Sequence, residues 1–177
     1  MHARLAEIVR YIEDRRAELE AAARGLPYER WSERPVSDSW SVAQVFDHLH
    51  LSESGTAKLL AKRIARAKEA GLGPERSDET VMNALDFFPV ITGPRRQAPE
   101  IVVPRADARA PDVHDALRRS RADLHAALRS GDGLALGDVT ATHPALGVIN
   151  VYQWVLFIGQ HESRHTRQVE EIVRQLG

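Results

Sequence analysis

The sequence predicts an all-α protein, a four-helix bundle with long crossover connections. Four stretches repeat their apolar residues at helical spacing, the prolines and glycines gather between those stretches, and nothing reads as a regular set of strands. A chain of 177 residues without cysteine can bury roughly 70% of its unfolded surface, so a single domain over 1–177 can hold a core without disulfides.

Each helix has its own signals. Leu5, Ile8, Ile12 and Leu19 recur at spacings of three, four and seven, with no break before Gly25-Leu26-Pro27, which predicts helix one over about residues 2–24. After the loop containing Pro35, Ser41-Val42-Ala43-Gln44 reads as a capping box, in which each side chain satisfies a backbone N–H at the helix start. Helix two runs from there to about Ala70, stopped by Gly71 and Gly73. Residues 73–110 hold five of the nine prolines and no sustained period, with a short helix expected over Ser77 to Leu85. Val90-Ile91 and Ile101-Val102-Val103 read as extended cover between prolines rather than sheet. Pro111 at a first helical position, with Asp112 and Asp115 behind it, opens helix three, which turns Leu117, Leu124 and Leu128 inward and stops at Gly131. A Gly-rich loop then leads to a second capping box, Asn150-Val151-Tyr152-Gln153, and helix four runs to the C-terminus.

Charge and composition exclude several functions. With 24 Lys+Arg against 25 Asp+Glu there is no basic excess to drive binding to nucleic acid or to an anionic membrane surface. The absence of cysteine removes thiolate nucleophiles and thiolate metal sites, so metal chemistry must use His, Asp and Glu. The first twenty residues hold no apolar signal core, and no window approaches a spanning length of about 18 apolar residues. These features predict a soluble cytoplasmic protein, and the Ala- and Arg-rich composition has a bacterial character.

The histidines carry the chemistry. His161 and His165 occur as HESRH in helix four. With His161 at zero on the helical wheel, His165 falls near 40°, inside an apolar stripe running from about 20° (Trp154) to about 120° (Val155). Arg164, Arg167, Glu170, Glu171 and Arg174 take the opposite side. Two buried imidazoles one turn apart need partners, because leaving one unpaired costs on the order of 1–3 kcal/mol. A shared metal satisfies both, and so do hydrogen bonds within a core. Helix two offers His48 and His50 on opposite flanks of its stripe. His48 has Val45 and Leu51 at three residues on either side and is the candidate for the inward ring, whereas His50 has Asp47 and Glu53. His2, His114 and His125 read as surface residues and His143 as a turn residue. HESRH also matches the zincin pattern, with Glu162 as general base. Gln168 and Glu171, however, stand where the extended zincin motif has Gly and His.

Three stretches resemble the DinB-like proteins, the DinB/YfiT-like metalloenzyme group: WSVAQVFDHLHLSE (40–53), FFPVITGPRRQAPEIVVP (87–104) and HPALGVINVYQWVLFIGQHESRHTRQVEEI (143–172). The pattern is a Trp-Ser start to helix two with a His about eight residues on, then His-x-x-x-His followed by Gln in the last helix. The resemblance implies a four-helix bundle, often a homodimer, with a divalent metal on His48, His161 and His165, and His50 stands beside that pattern as an extra residue. It also implies a metal-dependent transferase using a low-molecular-weight thiol, or a hydrolase, acting on a small molecule. Three neutral imidazoles leave a coordination position open, as catalytic sites do, and suit Zn, Ni, Fe or Cu. Glu162 is the candidate proton acceptor or outer partner of the metal, and Gln168, near the row of His161, a candidate for orienting a ligand. Arg95, Arg96 and Arg105 are candidates for holding an anionic substrate. The competing readings are a non-catalytic bundle with structural histidines, used for dimerisation or partner binding, and an HExxH metallopeptidase.

Overall fold

The computed structural model describes residues 1–83 and 98–177. Its helices are α1 (Ala3–Ala23), α2 (Val42–Glu69), α3 (Ala110–Arg129) and α4 (Val151–Leu176), with ends close to those read from the sequence. Both capping boxes form. Gln44 N donates to Ser41 Oγ, and Ser41 N to Gln44 Oε1, each at 3.2 Å. The Asn150–Gln153 pair closes in the same way at 3.0 and 2.9 Å. Gly71 takes φ +83° just past α2, a left-handed position that L side chains resist.

The helices pack as two pairs, α1 on α4 and α2 on α3, and the pairs approach one another mainly along α2 and α4. Two apolar clusters fill the interior. One gathers Ile8, Ile12, Leu60, Leu124 and Leu156, and the other gathers Leu19, Phe46, Leu49, Leu117 and Val169. Where α1 crosses α4, Gly159 lies against the Tyr11 ring, and a Cβ there would collide with it. Alanine is the better helix former by about 1 kcal/mol, but overpacking costs about 1–3 kcal/mol, so Gly159→Ala is expected to lower stability by up to about 2 kcal/mol. An unchanged urea midpoint would contradict that close approach.

Three stretches depart from the sequence reading. Residues expected as a Gly-rich loop form a hairpin, β1 (Thr140–His143) against β2 (Gly147–Asn150), with Ala141 paired to Ile149. The hairpin feeds directly into α4. The helix expected over Ser77 to Leu85 is absent over Ser77–Val81, where the N–H groups of Val81 and Met82, which would bond to carbonyls four residues back, go to side chains instead; residues 84 and 85 lie outside the described residues. Glu75 accepts from Arg76 N and Ser77 N, Ser77 Oγ from Glu79 N, Thr80 Oγ1 from Met82 N, and Glu7 from Val81 N. Glu100–Val102 is a 3-10 turn rather than extended cover, opened by the Pro99 carbonyl accepting from Val102 N at 3.0 Å. Val90, Ile91, Arg95 and Arg96 lie outside the described residues. Among the described residues, no helix is long and apolar enough to cross a membrane.

Candidate metal centre

The two helix pairs each send imidazoles to one point: His48 from α2, His161 and His165 from α4. His161 Nε2 lies 3.1 Å from His48 Nε2 and 3.1 Å from His165 Nε2. The three ligand atoms all fall within 4.8 Å of one another, the one such group among the described residues. Nitrogens bound to one tetrahedral ion at about 2.0–2.1 Å stand roughly 3.3 Å apart, so the two 3.1 Å separations about His161 suit a shared cation.

Two of the rings have their tautomers fixed from behind. His48 Nδ1 donates to the Val102 carbonyl at 2.7 Å, and His165 Nδ1 donates to Gln168 Oε1 at 2.8 Å. Those oxygens only accept, so the hydrogens sit on Nδ1 and both Nε2 lone pairs point inward. Even with a hydrogen on its own Nε2, His161 could satisfy only one of them. A cation satisfies all three.

The environment keeps the rings in the neutral, ligating form. Burial pushes His161 well below the ordinary histidine range, and the charges that His165 and His48 would carry push it further. Burial brings His165 down to about 3 and lowers His48 against the opposing pull of Val102 and Asp47. Because such a folded-state value lies below the unfolded value near 6.5, the unfolded chain binds more protons between the two. Stability is therefore intact above pH 6.5 and falls as the pH drops through that window. From pH 7 to 5 the metal-free protein is expected to lose on the order of 2 kcal/mol through His165. Urea unfolding at the two pH values checks this, and a flat profile would contradict it.

Aromatic rings wall the centre. Trp40, immediately before the α2 cap, lies 5.0 Å from the His48 ring and stacks on His165 at 6.2 Å. Phe157 stacks on His161 at 5.4 Å. His143, at the end of β1, meets Phe157 at 4.4 Å and Trp154 at 4.8 Å. It is half-buried, and its Nδ1 accepts from Ala145 N at 3.1 Å, which leaves its hydrogen on Nε2.

Val102 is held in place by Asp47, the neighbour of His48. Arg105 Nη2 donates to Asp47 Oδ1 at 2.7 Å and Arg105 N to Asp47 Oδ2 at 2.8 Å. Burial alone would raise the Asp47 carboxyl, but the Arg105 hydrogen bonds and charge outweigh it and hold the group below its ordinary value. Arg105, a candidate for substrate binding in the sequence, thus spends its guanidinium on anchoring this loop.

The remaining sequence candidates sit elsewhere. The His50 ring lies against the Ala116 backbone and beside Asp47 and Arg119, away from the three-ring cluster. His2, His114 and His125 each lie beside a surface carboxylate. Glu162 points not to the histidines but into a buried charge cluster. Its Oε1 accepts from Arg16 Nε at 2.7 Å, and both oxygens accept from Arg121 Nη2 at 2.9 Å. Glu53 completes the group, accepting from Arg121 Nε, Arg16 Nη2 and Ser120 Oγ at 2.6, 3.0 and 2.7 Å. Arg16, Glu53, Ser120 and Arg121 were missed in the sequence. Their signal was present: Arg16 follows Ile12 by four residues, Glu53 follows Leu49 by four and Arg121 follows Leu117 by four, each placing a polar group on an apolar stripe.

A helical bundle with three histidines converging between its helix pairs defines a class of protein. The chain belongs to the DinB superfamily, whose family model matches residues 11–169, and members of that superfamily typically bind metal. It is similar to YuaE, an uncharacterized protein of Bacillus subtilis (strain 168), with 28% identity over 153 residues that cover 84% of this chain and 86% of the relative. No solved structure matches the chain.

Proposed function

We propose that this chain is a cytoplasmic metal-dependent enzyme that holds a divalent transition ion, such as Zn, Ni or Fe, on His48, His161 and His165. It transfers a low-molecular-weight thiol to a small molecule, or hydrolyses one. The observation that carries this reading is the meeting of three Nε2 atoms, two of them with lone pairs fixed inward by Val102 and Gln168. Three protein nitrogens leave a position open, as catalytic sites do and closed structural sites do not. When bound, the cation would supply Lewis acidity, enough to make an entering thiol or water a nucleophile near neutral pH.

The chain's own residues divide the remaining work. Trp40 and Phe157 exclude water from the flanks of the imidazoles, and the His143 Nε2–H is the donor that would orient a bound molecule. Glu162 takes no part in proton transfer, because both of its oxygens are engaged by guanidinium groups. The same placement leaves a peptidase reading without its base.

The test is metal analysis of tag-free protein, followed by consumption of a small thiol in the presence of an aryl halide. A first-row metal near one per chain, with turnover lost on chelation, is the expected result. Metal-free protein with unchanged stability would end this reading.

A further inference from the structure

The buried ions occupy one level of the bundle. Each helix contributes one charge there: Arg16 from α1, Glu53 from α2, Arg121 from α3 and Glu162 from α4, none more than 6% exposed. Along each helix that residue falls between the two apolar clusters: after Ile12 and before Leu19, after Leu49 and before Ala57, after Leu117 and before Leu124, after Ile158 and before Val169. Two guanidiniums meet two carboxylates, so the four fully buried groups are neutral as a set. Their bonds cross from one helix pair to the other. Arg16 reaches Glu53 and the Leu117 carbonyl, while Arg121 reaches Glu162 and the Ile12 carbonyl. The histidines span the same boundary, with His48 on one pair and His161 and His165 on the other.

We propose that Arg16, Glu53, Arg121 and Glu162 are positioning residues for the three-histidine centre, fixing the axial register of the α1–α4 pair against the α2–α3 pair. This rests on the metal reading above. Two apolar helix faces can slip by one turn, about 5.4 Å, with similar contact. A slipped quartet would strand buried ions without partners, which is strongly unfavourable. The same slip would carry His48 Nε2 out of reach, because ligand distances in metal sites hold to about 0.2 Å. Glu53 lies five residues beyond His48 on α2 and Glu162 follows His161 on α4, so the register that pairs the ions also brings the imidazoles together. The quartet assembles the centre before a cation arrives.

The test replaces the set with apolar residues of similar length: Arg16→Met, Glu53→Leu, Arg121→Met and Glu162→Leu in one full-length chain. Urea unfolding of the metal-free protein and Co2+ affinity, read by visible absorbance against a competing chelator, are measured on this variant and on wild type. Such replacements often leave stability unchanged or higher. The expected result is an undiminished unfolding midpoint with Co2+ affinity weaker by on the order of tenfold or more, the range seen when outer support of a metal site is lost. A purely structural quartet would move the midpoint and leave the affinity of the folded protein alone, and affinity within about twofold of wild type would overturn the proposal. Should the variant fail to fold cooperatively, Arg121→Lys, which keeps the charge and loses the fork, decides between the same outcomes. Wild-type protein that takes up no Co2+ would instead overturn the metal reading, and this inference with it.

Discussion

Replacing His161 with Ala is expected to abolish metal-dependent stabilisation. Its Nε2 is the central atom of the cluster, 3.1 Å from each of the other two. The remaining pair, His48 and His165, belongs to different helix pairs. A cation held only by the folded state stabilises by mass action, contributing about 2.7 kcal/mol at a free concentration of 100 Kd. For a chain of this size that is roughly 5–10 °C in Tm. Wild type should therefore lose roughly that much on chelation, while His161→Ala should show no difference with and without chelator. Differential scanning calorimetry with Zn2+ in excess reads both, and a metal-dependent shift surviving in His161→Ala would contradict the site.

Arg121→Met is expected to produce the largest stability loss of any single substitution in the bundle interior. Its guanidinium serves Glu53, Glu162, Glu13 and the Ile12 carbonyl, and removing it leaves two buried carboxylates to share Arg16. Breaking a buried ion pair from one side costs about 3–5 kcal/mol. The exposed pair Arg118–Asp115, 3.8 Å apart with both side chains more than half exposed, provides the contrast: Arg118→Ala should cost at most about 1 kcal/mol. Burial raises the Glu162 carboxyl, against the opposing pull of Arg121 and Arg16. Burial also acts to raise Glu53, but Arg121 and Arg16 outweigh it and hold that group below its ordinary range. Removing Arg121 takes away the pull that lowers both carboxyls, so the folded variant should take up protons more readily than its unfolded chain, and part of the loss at neutral pH should be recovered in mild acid. Chemical denaturation of both variants checks the ranking, and equal losses would show that the buried cluster relaxes or admits water.

Much of this was legible in the chain because the signals were local. The capping boxes at Ser41 and Asn150 are four-residue patterns whose reciprocal bonds form as read. The apolar periods of all four helices identify residues that the fold buries, Leu5, Ile12, Leu117 and Val155 among them. Neighbours and family resemblance together selected His48 over His50, and the structure brings His48 to the other two rings.

The rest depends on contacts distant in sequence. The support for His48 is a main-chain carbonyl at Val102, an atom every residue carries, on a segment that Asp47 anchors through Arg105. The hairpin escaped because each strand is four residues long and buries little beyond Ala141 and Ile149, too short for alternation to stand out. The Ser77 segment mimics a helix until side chains claim its donors. Glu162 follows His161 by one residue, about 100° around the helix, but the arginines that claim it come from α1 and α3, and only the assembled fold puts them there.

The most direct measurement is X-ray absorption at the metal edge on tag-free, metal-loaded protein. Three imidazole nitrogens at about 2.0–2.1 Å with one further light-atom ligand are expected, reduced in number in His48→Ala. A metal coordinated only by oxygen, or a spectrum unchanged by His48→Ala, would contradict it.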